Sequence, residues 1–179
     1  MSPHIALLRA VNVGGRKVLK DDLLGLARDM GFDEAKTLLA SGNLVLWGRH
    51  EGGAALEDTL EKGLEARMGL RTDFMVRAPA ELRRVIDANP FLEQAMARPN
   101  HLLVCFLKSP IDQDTMDVLR AAITGPEQIH AEERALYIDF KDGVAESTLD
   151  RDWKKTKRAP LGTMRNWNTV LKLAAMVAA

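Results

Sequence analysis

His4-Ile5-Ala6-Leu7-Leu8-Arg9-Ala10 decides the fold. Apolar residues fill both alternating sets of positions in this run, the pattern of a central strand covered on two faces. A loop follows, Asn12-Val13-Gly14-Gly15-Arg16-Lys17, and then an amphipathic segment, Lys20–Met30, with Leu23, Leu24, Ala27 and Met30 at helical spacing. Asp21 and Asp22 favour its N-terminal end and Gly31 its stop. Thr37–Leu39 and Asn43–Trp47 read as two strands joined at Ser41-Gly42-Asn43. From Ala54 to Met68, Leu56, Leu60, Leu64 and Met68 recur every four residues as a second helix, and Thr72–Val76 adds a fourth strand. The order β-α-β-β-α-β is the split βαβ arrangement of ferredoxin-like folds.

The second half starts over. Pro79 opens a short helix carrying Leu82, Val85 and Ile86, which Asn89-Pro90 ends, and Phe91–Asn100 reads as a loop. His101–Leu107 is a second strand-like run, Asp112–Ile123 a helix, and Glu127–Ala131 with Ala135–Phe140 a hairpin around Glu132-Glu133-Arg134. In that hairpin Leu136, Ile138 and Phe140 share one face, and Tyr137 and Asp139 the other. Residues 153–162 are basic and irregular, and Thr163–Val177 is a helix candidate with the stripe Trp167, Val170, Leu171 and Ala174. The expectation is α+β: two ferredoxin-like units, 1–78 and 79–179, packed into one body, with a C-terminal helix in the second. Two double-faced opening strands also require the second face of each sheet to be covered.

Composition sets the class. The 179 residues are 46% hydrophobic and 28% charged, as in soluble globular chains, with 25 cations against 25 acids. The distribution is uneven: residues 1–20 carry +4 and residues 151–165 carry +5, so the remainder carries −9. The apolar start is short and interrupted by Arg9, unlike a signal peptide, and no stretch approaches a bilayer span, so a cytoplasmic protein is expected. Cys105, the only cysteine, sits in an apolar run and reads as a core residue.

Four motifs, Ala6-Leu7-Leu8-Arg9-Ala10-Val11-Asn12-Val13-Gly14-Gly15, Ser41-Gly42-Asn43, Ala88-Asn89-Pro90-Phe91 and Arg165-Asn166-Trp167-Asn168-Thr169-Val170, resemble the bacterial domain-of-unknown-function 1697 family. The resemblance runs from the first strand to the last helix. It implies a small cytoplasmic bacterial α+β protein and brings no catalytic residues with it. Met164 and Ala10 depart from the threonine and glycine frequent in that family.

The chemistry that the residues suggest is binding. His4, His50, His101 and His130 are scattered, so neither a metal nor a cofactor is expected, and no G-x-S-x-G surrounds a serine. The first loop matches neither G-x-x-x-x-G-K-[ST] nor G-x-G-x-x-G, although its glycines can aim N–H groups at an anion. Arg9, Asn12, Gly14, Gly15, Lys17, Ser41, Asn43, Arg165, Asn166 and Asn168 could converge on one polar cleft for a small anionic ligand, phosphorylated ones included. One alternative is non-specific nucleic-acid binding through Lys154, Lys155, Lys157 and Arg158, dominated by phosphate contacts. Few aromatics fall on the central strands, which disfavours base stacking. The other alternative is a protein-interaction module; no membrane association is expected.

Overall fold

The first strand, β1 (Ser2–Leu8), occupies an inner position, hydrogen-bonded on both sides, which is why no residue of Ile5–Leu8 can be polar without cost. The computed structural model describes residues 2–9, 17–39 and 42–178. After β1 come α1 (Lys20–Asp29), β2 (Glu34–Leu38), β3 (Asn43–Gly48), α2 (Gly53–Met68) and β4 (Phe74–Arg77). The four strands form an antiparallel sheet in the order β2-β3-β1-β4, with Ala6 opposite both Leu44 and Val76. Period-two alternation sends Ala6, Leu8, Leu44, Leu46, Phe74 and Val76 to one face, where Leu23 and Leu26 of α1 and Leu56, Leu60 and Leu64 of α2 pack on them. On the other face Ile5, Leu7, Val45 and Met75 are fully buried as well. Within α1 it is Leu26, not Leu24, that completes the buried stripe.

Two short helices, α3 (Pro79–Asp87) and α4 (Leu92–Ala97), precede the second sheet. The loop expected over Phe91–Asn100 is thus partly helical, in a piece too short for periodicity to reveal. Next come β5 (Leu102–Leu107), α5 (Gln113–Ala122), β6 (Gln128–Glu132), β7 (Ala135–Asp139), α6 (Leu149–Thr156), β8 (Gly162–Asn166) and α7 (Trp167–Val177). The sheet order β6-β7-β5-β8 repeats that of the first sheet position for position. Leu103, Cys105, Leu107, Leu136, Ile138 and Phe140 meet Met116, Leu119, Leu149 and Trp153 on one face. Leu102, Val104, Phe106 and Tyr137, on the opposite set of positions, are fully buried too. Mixed α+β architecture with two ferredoxin-like sheets and a C-terminal helix is therefore the fold.

The candidate helix Thr163–Val177 proves to be a strand followed by a helix. Asn166 ends the strand and caps α7, its Oδ1 accepting the Thr169 N–H at 3.0 Å. The buried face of α7 is Trp167, Val170 and Leu173, and Leu171 is exposed. The basic stretch before it contributes its first residues to α6, which Lys157, at φ 58°, ends.

The chain divides into two compact units, the first made of residues up to Arg83 together with those from Leu173 onward, the second of Arg84–Lys172.

Candidate functional site

Most side chains expected in the polar cleft have duties within their own unit. Asn43 is fully buried at the start of β3, and its Nδ2 donates to the Leu38 carbonyl at 2.8 Å, closing the hairpin from within. Gly42, at φ +76°, permits that turn, and a Cβ there would stand 2.8 Å from the Leu8 Cβ. Arg9 is exposed at the end of β1 and meets Asp73 at 3.5 Å; Lys17 is exposed as well. Asn12, Gly14, Gly15 and Ser41 lie outside the described residues.

In the second unit Arg165 is the fourth of the five residues of β8, opposite Val104 and 5% exposed. Its Nη1 donates to Thr163 Oγ1 at 2.6 Å and to the Met164 carbonyl at 2.8 Å, and burial pushes the guanidinium down to about 10. It stays a cation at neutral pH. Asn166 caps α7, and Asn168 Nδ2 donates to Asn100 Oδ1 at 2.8 Å. In the basic segment, Lys154 pairs with Asp150 at 2.7 Å and Arg158 with Asp114 at 3.2 Å, whereas Lys155 and Lys157 are exposed and have no ion pair among the described residues.

A cavity that the sequence reading did not single out lies in the second unit. Its volume is about 550 Å³, and its walls include Phe91, Arg120, Ile123, Gly125, Glu127 and Ile129. The α5–β6 connection that forms one wall is held by Asp152 of α6. Its Oδ2 accepts the Thr124 hydroxyl at 2.6 Å, the Thr124 N–H at 3.0 Å and the Thr148 hydroxyl at 3.1 Å. The Thr124 hydroxyl above all, aided by that N–H and by Thr148, keeps the Asp152 carboxyl below its ordinary range.

Glu127 is 7% exposed and splits its carboxylate between two tasks. Oε1 accepts the Ser147 hydroxyl, while Oε2, buried, has no hydrogen-bond partner among the described residues. Oε2 lies over Gly125, where a Cβ would come within 2.4 Å of it. The other buried polar side-chain atom without a partner among the described residues, Asn89 Nδ2, belongs to the residue before the cavity-lining Pro90 and Phe91. Arg120 at the opposite chemical extreme is half exposed and only loosely paired, 3.6 Å from Asp117. Arg120, Glu127, Gln128 and His130 therefore share one cavity with the apolar side chains. Asn89-Pro90-Phe91 was the only part of it visible as a motif; Arg120 and Glu127 sit in ordinary helical and loop contexts.

Among the described residues, no group of three or more His, Cys, Asp and Glu side chains could hold a metal ion. No helix among them is long and apolar enough to cross a membrane.

These two sheets and their helices define a duplicated ferredoxin-like α+β protein. The chain belongs to the family described as protein of unknown function (DUF1697), whose model matches residues 1–137. A similar solved structure is that of conserved bacterial protein SP0830 from Streptococcus pneumoniae, 17% identical, covering 98% of both chains with a TM-score of 0.76. That likeness concerns the fold. No curated protein matches the chain.

Proposed function

We propose that the chain binds a small anionic ligand and that the cavity of the second unit receives it. The observation that carries this reading is the cavity itself, about 550 Å³ with Arg120 beside Phe91, Ile123 and Ile129. That volume lies in the range of small-molecule sites. A guanidinium fork suits phosphate or carboxylate, and the exposed Arg120–Asp117 contact is cheap to give up. Binding is the reading favoured, because the guanidinium of Arg120 beside apolar side chains suits recognition of an anion. We also take the chain to work in the cytoplasm, since its lone Cys105 is a buried core thiol that needs no oxidising compartment.

A second location for the same ligand is the Asn12–Lys17 loop. Arg9 supports it: the side chain is 49% exposed and holds Asp73 only at 3.5 Å, so its fork can turn to a phosphate beside Lys17. The nucleic-acid reading draws less support, because Lys154 and Arg158 already face Asp150 and Asp114. An interaction module would use Leu92 and Met96 of α4, 65% and 88% exposed.

Amide NMR titrated with phenyl phosphate tests these readings together. Saturable shifts at Ile123 and Ile129 that vanish in Arg120→Ala, but persist in Arg9→Ala and Lys155→Ala, are expected. Loss in Arg9→Ala and Lys17→Ala alone moves the ligand to the first unit, and no shift at millimolar probe overturns anion binding.

A further inference from the structure

Resting on the cavity reading above, we propose that the ligand is a zwitterion, or at least an amine-bearing acid: its anionic group is held by Arg120 and its N–H donor by Glu127. The inference begins with an unused acceptor. A carboxylate carries about four lone-pair sites, and Glu127, nearly buried, spends one oxygen on the Ser147 hydroxyl and has no partner among the described residues for the other. Buried polar atoms are ordinarily paired, so an acceptor that no described protein group fills is a place for water, an ion or a ligand donor.

The setting selects the partner. Ser147 Oγ accepts the Leu149 N–H at 3.1 Å, which fixes its hydroxyl as a donor toward Glu127 and leaves Oε2 as the acceptor to be filled. An anion or a carbonyl cannot fill it. An ammonium, amidine or amino group can, and the charge of the carboxylate favours a cation. Gly125 leaves room for the oxygen, Glu127 lines the cavity, and the terminal torsion of a glutamate is broad, so binding of a donor there requires only that the carboxylate turn to meet it. Arg120 at the same cavity repels a simple amine, and Glu127 repels a simple acid. A molecule with both groups on an apolar body that fits Phe91 and Ile129 is the one for which neither penalty applies.

A matched pair of probes reads this directly: 4-(aminomethyl)benzoate and 4-ethylbenzoate, of nearly the same shape, differ in the ammonium group. Amide NMR titrations of the full chain should show the amine-bearing acid binding about tenfold more tightly, as expected for a hydrogen bond to a charged group. In Glu127→Gln, which keeps an oxygen for Ser147 and turns the other position into a donor, that preference should fall to about onefold. Gly125→Ala, whose methyl displaces Oε2, should also reduce it, and serves if Glu127→Gln does not fold. Equal binding of both acids in the wild type, unchanged by either variant, overturns the amine proposal and leaves anion binding standing. Failure of both acids to shift the cavity amides overturns the cavity reading and, with it, this one.

Discussion

Asp139 is a fully buried carboxylate whose neutralisation depends on one arginine. Arg98 grips it in a fork, Nη2 to Oδ2 at 2.6 Å and Nε to Oδ1 at 3.2 Å, and the Lys141 N–H adds a third bond at 3.2 Å. Removing one member of such a pair strands a buried charge, whereas an exposed pair such as Lys62–Asp58 contributes little. Arg98→Ala should therefore lower the urea midpoint far more than Lys62→Ala, and Arg98→Lys should restore only part of the loss, because an ammonium cannot reproduce the fork. His4 supplies a pH signature. The residue is 7% exposed and its Nε2–H donates to the His50 carbonyl at 3.1 Å; burial, reinforced by the nearby His50 imidazole, holds its pKa below 6.5. The unfolded chain then takes up the proton more readily than the folded one, so stability is intact above about pH 6.5 and falls as the pH drops toward the folded pKa. Urea midpoints measured from pH 7.5 to 5 should decline in the wild type and decline less in His4→Gln. At this scale the sequence was informative about Cys105, which is 3% exposed in the core, and Trp167, 6% exposed as an anchor. It was silent about Glu127, since the spacing of a residue says nothing about which of its oxygens finds a partner.

Between elements, α2 does more than cover a sheet. β4 is an edge strand, and two carboxylates one helical turn apart reach its outward N–H groups: Glu61 Oε1 accepts from Phe74 and Glu57 Oε1 from Val76, both at 2.9 Å. An edge satisfied in this way offers less of a template to another strand. Glu61→Ala should cost about 1–3 kcal/mol in chemical denaturation by leaving a partly buried N–H unmet. The variant should also self-associate more in analytical ultracentrifugation. The elements that the sequence showed clearly, β1, α2 and β5, are those whose buried positions are apolar but for His4 in β1 and Glu57 in α2. β8 was hidden because its inward positions hold Thr163 and Arg165 while Met164 points outward, the reverse of what period-two hydrophobicity rewards. α6 was hidden because its buried residues are Leu149, Asp152 and Trp153, too few among charges to form a visible stripe.

At the scale of the molecule, one topology is built twice from sequences without a visible period. The shared determinant is a central strand with both faces buried, β1 in one unit and β5 in the other. Hydrogen exchange should therefore be slowest at Ile5–Leu8 and Leu102–Leu107, with the edge strands β2 and β6 opening earlier. Uniform exchange along both sheets would contradict that ordering. The duplication was legible because order and approximate length of elements follow from hydrophobic pattern alone. The cavity was not, because Phe91, Arg120 and Glu127 come from three separate segments that only the folded second unit assembles.

The first unit is assembled from two pieces of chain, one ending at Arg83 and one beginning at Leu173, whereas the second is continuous. During synthesis the whole of residues 84–172 must leave the ribosome before the fully buried Leu173 can take its place. The unit translated first is thus the one completed last. A released chain that ends at Lys172 should resist protease within residues 84–172 and be cut within those up to Arg83.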